Sequence, residues 1–257
     1  MEEILIRECT TIQEFDTCVD LQREAFGLPD IEITPRRHLI VSRQAGGWTL
    51  GAFVADTMVG FVHHLAAVRP DNEIFGYSHM MAVARAYQNK GVGARLKWAQ
   101  RERALTEGRR YIKWTWDPMQ ARNAYFNLNR LGVVVDTYAD NFYGVDYNAD
   151  PQQAIENRPG LQSDRLFGNW YLTSSRVESL SRGEPADNLG KAAATIAIPA
   201  DWSTVIRTDV KRARAEQERV RSEFKSAFNE GLICAAFRRG EEQSHYLLFE
   251  RENVEYT

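Results

Sequence analysis

Cysteine is scarce in this chain. Cys9, Cys18 and Cys234 are the only three in 257 residues, an odd number with no C-x-x-C spacing. Neither a disulfide framework nor a cysteine-based zinc site is indicated, and the three read as small apolar core residues. An excess of positive charge is also absent: 32 Lys and Arg stand against 35 Asp and Glu, a net charge of -3 with a pI near 6.0. No basic field is available to attract nucleic acid or anionic lipid, so neither is expected as a partner. No apolar run approaches the length of a membrane span. The opening MEEILIRECT lacks the basic and apolar regions of a signal peptide, which makes the cytoplasm the expected location. No internal repeat or low-complexity tract is present, and no metal is expected.

What the chain does have is the composition of a globular protein, 44% apolar and 26% charged. Glu3 to Cys9 alternates as a short strand. Thr10 or Thr11 can cap a helix, with Glu14 as the capping-box acid three residues after Thr11; Phe15, Cys18, Val19, Gln22 and Phe26 lie near one face, and Gly27 is the stop. A further helix is expected over 36–44. Gly47 to Ala55 and Val59 to Ala67 read as a hairpin about Asp56-Thr57, and Ile74 to Ala84 as the third strand of a meander. Gly108 ends the next helix, and Arg110 to Trp116 alternates as a strand. A short helix over Met119 to Leu131 and a strand over Val133 to Tyr143 follow.

The stretch 148–163, with Pro151, Pro159 and Gly160, reads as a surface excursion, and Leu166 to Thr173 as a returning strand. The polar segment 178–193 is the expected linker between a domain over 1–177 and an extension over 194–257. That extension reads as strand (Ala194 to Ile198), helix (Thr204 to Asn229) and two strands (Leu232 to Phe237 and Tyr246 to Arg251). The helix mixes Arg207, Lys211, Arg219 and Arg221 with Asp209, Glu216 and Glu223, the pattern of a solvated face rather than of an anion site.

The most informative stretch is the loop 88–93, QNKGVG, between the strand ending at Val83 and the helix through Leu96. Glycines, free backbone N–H groups and a helix N-terminus converge there, the ingredients of an anion cradle. A tight turn would need glycine in any case. A nucleotide P-loop requires Lys-Ser or Lys-Thr after its last glycine, and here Lys90 precedes Gly91. A dinucleotide fingerprint requires a third glycine where this chain has Leu96.

Met81-Ala82-Val83, the loop from Tyr87 to Gly93 and the helix with Leu96 resemble the acyl-CoA motif of the GNAT superfamily of N-acyltransferases, and the order of elements from Glu3 to Tyr143 agrees. Trp116-Asp117-Pro118 with 122–127 (RNAYFN) and Leu131-Gly132 is similar to a bacterial subgroup carrying a C-terminal extension. The resemblance implies an α/β (α+β) fold: a mixed, largely antiparallel central sheet flanked by helices, with a β-α-β-β extension. It implies that amides of Asn89, Lys90, Gly91, Val92, Gly93 and Ala94 hold the CoA pyrophosphate and that backbone groups of Met81 and Val83 pair with the pantetheine arm. Gln88 and Asn123 join the expected CoA-binding set, and Lys90 or Arg95 can add a charge-assisted contact to phosphate. Many members carry an Asn near the start of the later helix, an Ala three residues on and, four further, a Tyr that protonates the departing thiolate. With Ala124 in the Ala position, Ala121 and Leu128 take the places of that Asn and Tyr.

Acyl transfer to an amine needs the neutral amine, and a positioned base contributes typically ~10²- to 10⁴-fold. His79 is the first candidate, grouped by strict alternation with Phe75, Tyr77, Met81 and Val83 unless a bulge breaks the register. His63 and His64 point to opposite faces of the neighbouring strand, while His38 and His245 have no such context. A core histidine with one satisfied nitrogen is the competing reading for each. Tyr125, Tyr138 and Tyr143 are the candidates for the acid, set against a packing role. The expected function is transfer of an acetyl, succinyl or other acyl group from acyl-CoA to a small amine or amino acid, with a homodimer compatible with the sequence. The alternatives are a non-catalytic acyl-CoA sensor and an interaction module that binds no CoA.

Overall fold

A computed structural model describes residues 3–144, 160–186 and 189–254. Most of the surface excursion expected over 148–163, and positions 187 and 188 of the expected linker, lie outside the described residues. The chain forms two compact units, one within Met1–Ile112 and the other within Lys113–Asp146 and Pro159–Thr257.

The first unit runs β1 (Ile4–Glu8), α1 (Ile12–Phe26), α2 (Arg36–Gln44), β2 (Trp48–Val54), β3 (Thr57–Val68), β4 (Ile74–Val83) and α3 (Val92–Thr106). β1, β2, β3 and β4 are neighbours in that order, each pair antiparallel. The expected capping box starts α1: Thr11 accepts from the Glu14 N–H, and Glu14 accepts from the Thr10 and Thr11 N–H groups. Gly27 ends the helix at φ 60°. Leu21 is buried in place of the expected Phe26, which is exposed.

Each face of the sheet carries its own apolar cluster. Phe15, Cys18 and Leu21 of α1 and Leu39 of α2 pack with Phe53, Phe61 and Ala82. Val92 and Leu96 of α3 pack with Leu50, Ala52, Val62, Met81 and Val83. Burying apolar surface on both faces holds the sheet between its helices at about 25 cal/mol per Å².

β5 (Tyr111–Trp116) carries the chain into the second unit, followed by α4 (Ala121–Tyr125), β6 (Val134–Ala139), β7 (Arg165–Tyr171), α5 (Ser175–Ser181), β8 (Ala194–Pro199), α6 (Trp202–Thr208), α7 (Val210–Asn229), β9 (Ile233–Arg238) and β10 (Gln243–Phe249). The strand order there is β5-β7-β6-β9-β10-β8, so the strands of the C-terminal extension continue the sheet of β6 and β7. β6 pairs antiparallel with β7 and β9, and β10 with β9 and β8.

Three expectations are corrected. The helix expected through Leu131 is α-helical only to Tyr125 and winds as a π-turn over Phe126–Arg130 before Gly132. β6 stops at Ala139 rather than Tyr143. The helix expected over 204–229 is two: Asp209 leaves helical geometry at φ -150°, and its side chain caps α7 by accepting from the Arg212 N–H at 2.9 Å. Among the described residues, no helix is long and apolar enough to cross a membrane.

Candidate functional site

The loop after β4 is built as the sequence suggested. A single helical turn over Arg85–Tyr87 leads into Asn89 at φ 62° and Gly91 at φ 82°, and α3 begins at Val92. Two left-handed residues one apart turn successive amides towards one side, the geometry of a backbone nest. The first helical bond of α3 is from the Arg95 N–H to the Gly91 carbonyl, at 3.1 Å. Among the described residues, no acceptor takes a hydrogen bond from the N–H groups of Asn89 to Ala94, and no side chain caps the helix. Its first turn also carries no acidic residue, so the partial positive charge there is uncompensated. A Cβ on Gly93 would lie 3.3 Å from Met81 Cε, a tight contact with the mobile end of that side chain.

β4 presents its backbone to this loop. The Ala84 N–H bonds the Val59 carbonyl at 2.9 Å, in line with the pairing of Val83 opposite Gly60 and Met81 opposite Val62. Hydrogen-bonded and non-bonded pairs alternate along an antiparallel ladder, so the N–H and C=O groups of Val83 and Met81 point away from β3. The Gln88 side chain confirms that direction by donating to the Val83 carbonyl at 3.1 Å. Lys90 sits over the Tyr87 ring, 5.1 Å from its centroid. Arg95 is exposed, with one guanidinium nitrogen 3.5 Å from the Ile4 carbonyl.

His79 lies at an irregularity in the β3–β4 ladder: His63 pairs with Met80 but His64 with Ser78, leaving His79 as the extra residue of a β-bulge. The bulge reverses the alternation assumed from sequence. Met81 and Val83 pack on the α3 side with Val92 and Leu96. His79 turns to the α2 side instead, with ring centroids 5.8 Å from His38 and 6.0 Å from His63. His38 was given no context by the sequence; a position on α2 facing β3 was the signal that could have placed it. The side chain is partly desolvated against α2, and this desolvation, with His38 adding to it, lowers the His79 pKa. His63 is fully buried, its ring nitrogens 3.1 Å from Ser42 Oγ and 2.8 Å from Thr49 Oγ1, and burial pushes its pKa down to about 3.

His64 does point the other way, as expected. It stacks on Trp48 at 4.0 Å and contacts Gln100 Nε2 at 3.2 Å. Beside it Lys97 is buried, donating to Ser78 Oγ at 3.0 Å and Gln100 Oε1 at 2.7 Å, and burial pushes its pKa well down. The sequence reading missed this lysine because a single charge on a mixed helix face reads as solvated.

The remaining candidates lie in the second unit. Tyr125 packs under Arg239, whose guanidinium carbon is 4.0 Å from the ring centroid, and Asn123 is exposed. Tyr138 donates its hydroxyl to Asp164 Oδ2 at 2.7 Å, and burial together with that carboxylate pushes its pKa up. A hydroxyl so held is a poor proton donor at neutral pH. Tyr143 is exposed. Leu128, at the position of the family's tyrosine, is fully buried in the core.

Comparison with known proteins gives a family match over part of the chain. Residues 11–129 match the family described as the acetyltransferase (GNAT) family. The chain is similar to a solved GNAT-family protein from Desulfovibrio desulfuricans, at 16% identity and a TM-score of 0.52, over 66% of this chain and 100% of that one. It is also similar to the ribosomal-protein-S18-alanine N-acetyltransferase of Escherichia coli, at 13% identity and a TM-score of 0.51, over 67% of this chain and 96% of that one. At such identities the likeness is one of fold. No curated protein sequence matches the chain.

Proposed function

We propose, from the premise that residues 11–129 are a domain of the GNAT acetyltransferase family, that this protein moves an acyl group from acyl-CoA to a small amine. The observation that carries the reading is the row of six uncommitted amides from Asn89 to Ala94 at the start of α3. A pyrophosphate needs several convergent donors, because a helix terminus alone supplies only about 0.3 to 2 kcal/mol. The backbone groups of Val83 and Met81 that face away from β3 continue from that cradle along β4 and suit the amide groups of a pantetheine arm. Four residues separate Val83 from His79, about 13 Å of strand. An extended arm running from the loop along this edge brings its thioester end towards the bulge, where a neutral imidazole can accept the proton of the attacking amine.

In this assignment Gln88, Lys90 and Arg95 border the phosphates, and His79 is the base. Of the proposed acids, the Tyr138 hydroxyl is committed to Asp164, and Tyr125 is retained as the candidate. Acetyl-CoA is the donor suggested by the family, with a succinyl or longer acyl group as the variant to compare.

Titration calorimetry with CoA, acetyl-CoA and succinyl-CoA tests the cradle, and absence of binding at millimolar ligand removes the reading. Thiol release across a panel of amines then tests the chemistry. His79→Ala should lower kcat by about 10²- to 10⁴-fold while CoA affinity stays within a few fold; unchanged turnover removes His79 as the base. A second reading, an acyl-CoA sensor without turnover, is favoured by Leu128 in the family's tyrosine position. It is the conclusion if CoA binds and no amine releases thiol.

A further inference from the structure

We propose that His38, His63 and His79 form a three-imidazole binding site for a divalent transition metal ion, with zinc the best match. The three side chains come from α2, from β3 and from the bulge of β4, separated by 25 and 16 positions in sequence. Their ring centroids form a nearly equilateral triangle with sides of 5.8, 5.9 and 6.0 Å. One ring nitrogen from each lies within 4.8 Å of those of the other two. Three imidazoles on a tetrahedral zinc ion, with Zn–N bonds of about 2.0–2.1 Å, place ring centroids about 5.2 Å apart, so each ring here needs an inward shift of about 0.4 Å. The ligating nitrogens, within 4.8 Å of one another, must close to about 3.4 Å, so ring rotation accompanies binding.

The donor set is selective. Among the described residues no carboxylate or thiolate belongs to the cluster, which disfavours magnesium and calcium; imidazoles suit zinc, copper and nickel. His63 forms the buried floor, whereas His38 and His79 are exposed, leaving an entry path and a coordination position open to water. The floor ligand also has an outer partner. Its two nitrogens face Ser42 Oγ and Thr49 Oγ1, and exchanging one of these hydroxyls for the metal leaves the other to orient the ring. Among the described residues, the rings of His38 and His79 have no hydrogen-bond partner to give up on binding.

The binding step does not depend on the acyl-transfer reading. One consequence does: an ion on the His79 lone pair blocks its use as a base, so zinc should inhibit transfer.

The test uses the full, untagged chain stripped with a chelator. Titration with cobalt(II) should give one equivalent per chain with the intense visible bands of a four- or five-coordinate ion, displaced by one equivalent of zinc. His38→Ala and His79→Ala, both at exposed positions and so compatible with folding, should each weaken zinc binding by at least about tenfold. His245→Ala, in the second unit, should leave it unchanged. A weak spectrum like that of aqueous cobalt, or unaltered affinity in both His38→Ala and His79→Ala, overturns the site. Zinc binding without inhibition would instead count against His79 as the base.

Discussion

Asp164 and Arg221 give the sharpest test of how the second unit is held together. The Asp164 carboxylate is fully buried and accepts four hydrogen bonds. Arg221 Nε donates to Oδ2 at 2.9 Å and Nη2 to Oδ1 at 2.8 Å; the Tyr138 hydroxyl donates to Oδ2 at 2.7 Å and the Asn141 N–H to Oδ1 at 2.9 Å. Arg221→Met removes both guanidinium bonds and the countercharge and leaves the carboxylate buried with two neutral donors. Breaking such a pair costs about 3–5 kcal/mol, and the 21% exposure of the Arg221 side chain places the expectation near the lower end. Asp164→Asn keeps the shape without the charge, and Arg221 can still reach water and Gln162, so its cost is about 1.5–3 kcal/mol. In the double variant no buried charge is left, so its cost should fall well short of the sum of the two. The assay is urea unfolding at pH 7, where a loss of about 3 kcal/mol shifts the midpoint by roughly 1–1.5 M for an m value of about 2–3 kcal/mol per M. An Arg221→Met cost below 1 kcal/mol, or strict additivity in the double variant, would refute the reasoning.

Tyr138→Phe removes one donor to the same carboxylate and should cost about 1 kcal/mol with turnover unchanged; a large fall in kcat would restore it as an acid. Gly91→Ala, whose Cβ meets nothing within 4 Å but must sit at φ 82°, should cost about 1–2 kcal/mol from backbone strain and weaken CoA binding measured by calorimetry. Leu128→Ala empties a fully buried site and should lower stability by about 2–5 kcal/mol, read from the thermal midpoint. Burial opposes ionisation of Glu14, but the N–H groups of Thr11 and Thr10 together with Arg7 overcome it and hold the carboxyl at about 2. A depressed carboxylate stabilises the fold above its ordinary value of 4.5 and loses that contribution as pH falls to about 2. Glu14→Gln should therefore flatten the stability profile over that window and leave its shape above pH 5 unaltered.

Local interactions made much of the first unit legible in the sequence. The Thr11–Glu14 box, the Gly27 stop and the glycine loop before α3 are each set by residues within a few positions of one another. Asp209 shows the limit of that reasoning. An apolar stripe spanning 204–229 predicts one helix, but the acid that could cap a second one does so, and the stripe is shared between α6 and α7.

By itself the sequence determined the strand–loop–helix cradle, the opposite facing of His63 and His64 and the expectation of a GNAT fold, because these follow from local backbone geometry, strand periodicity and a short motif. Tertiary structure decided what the histidines do. Whether His79 sides with Met81 or with His38 depends on one extra residue in the pairing of β4 with β3, and register is a property of two strands rather than of one. The contact of His38 with both rings, the buried amine of Lys97 and the pairing of Asp164 with Arg221 likewise join residues 19 to 57 positions apart. No local signal specifies such pairs; packing of the helices on their sheets brings them together.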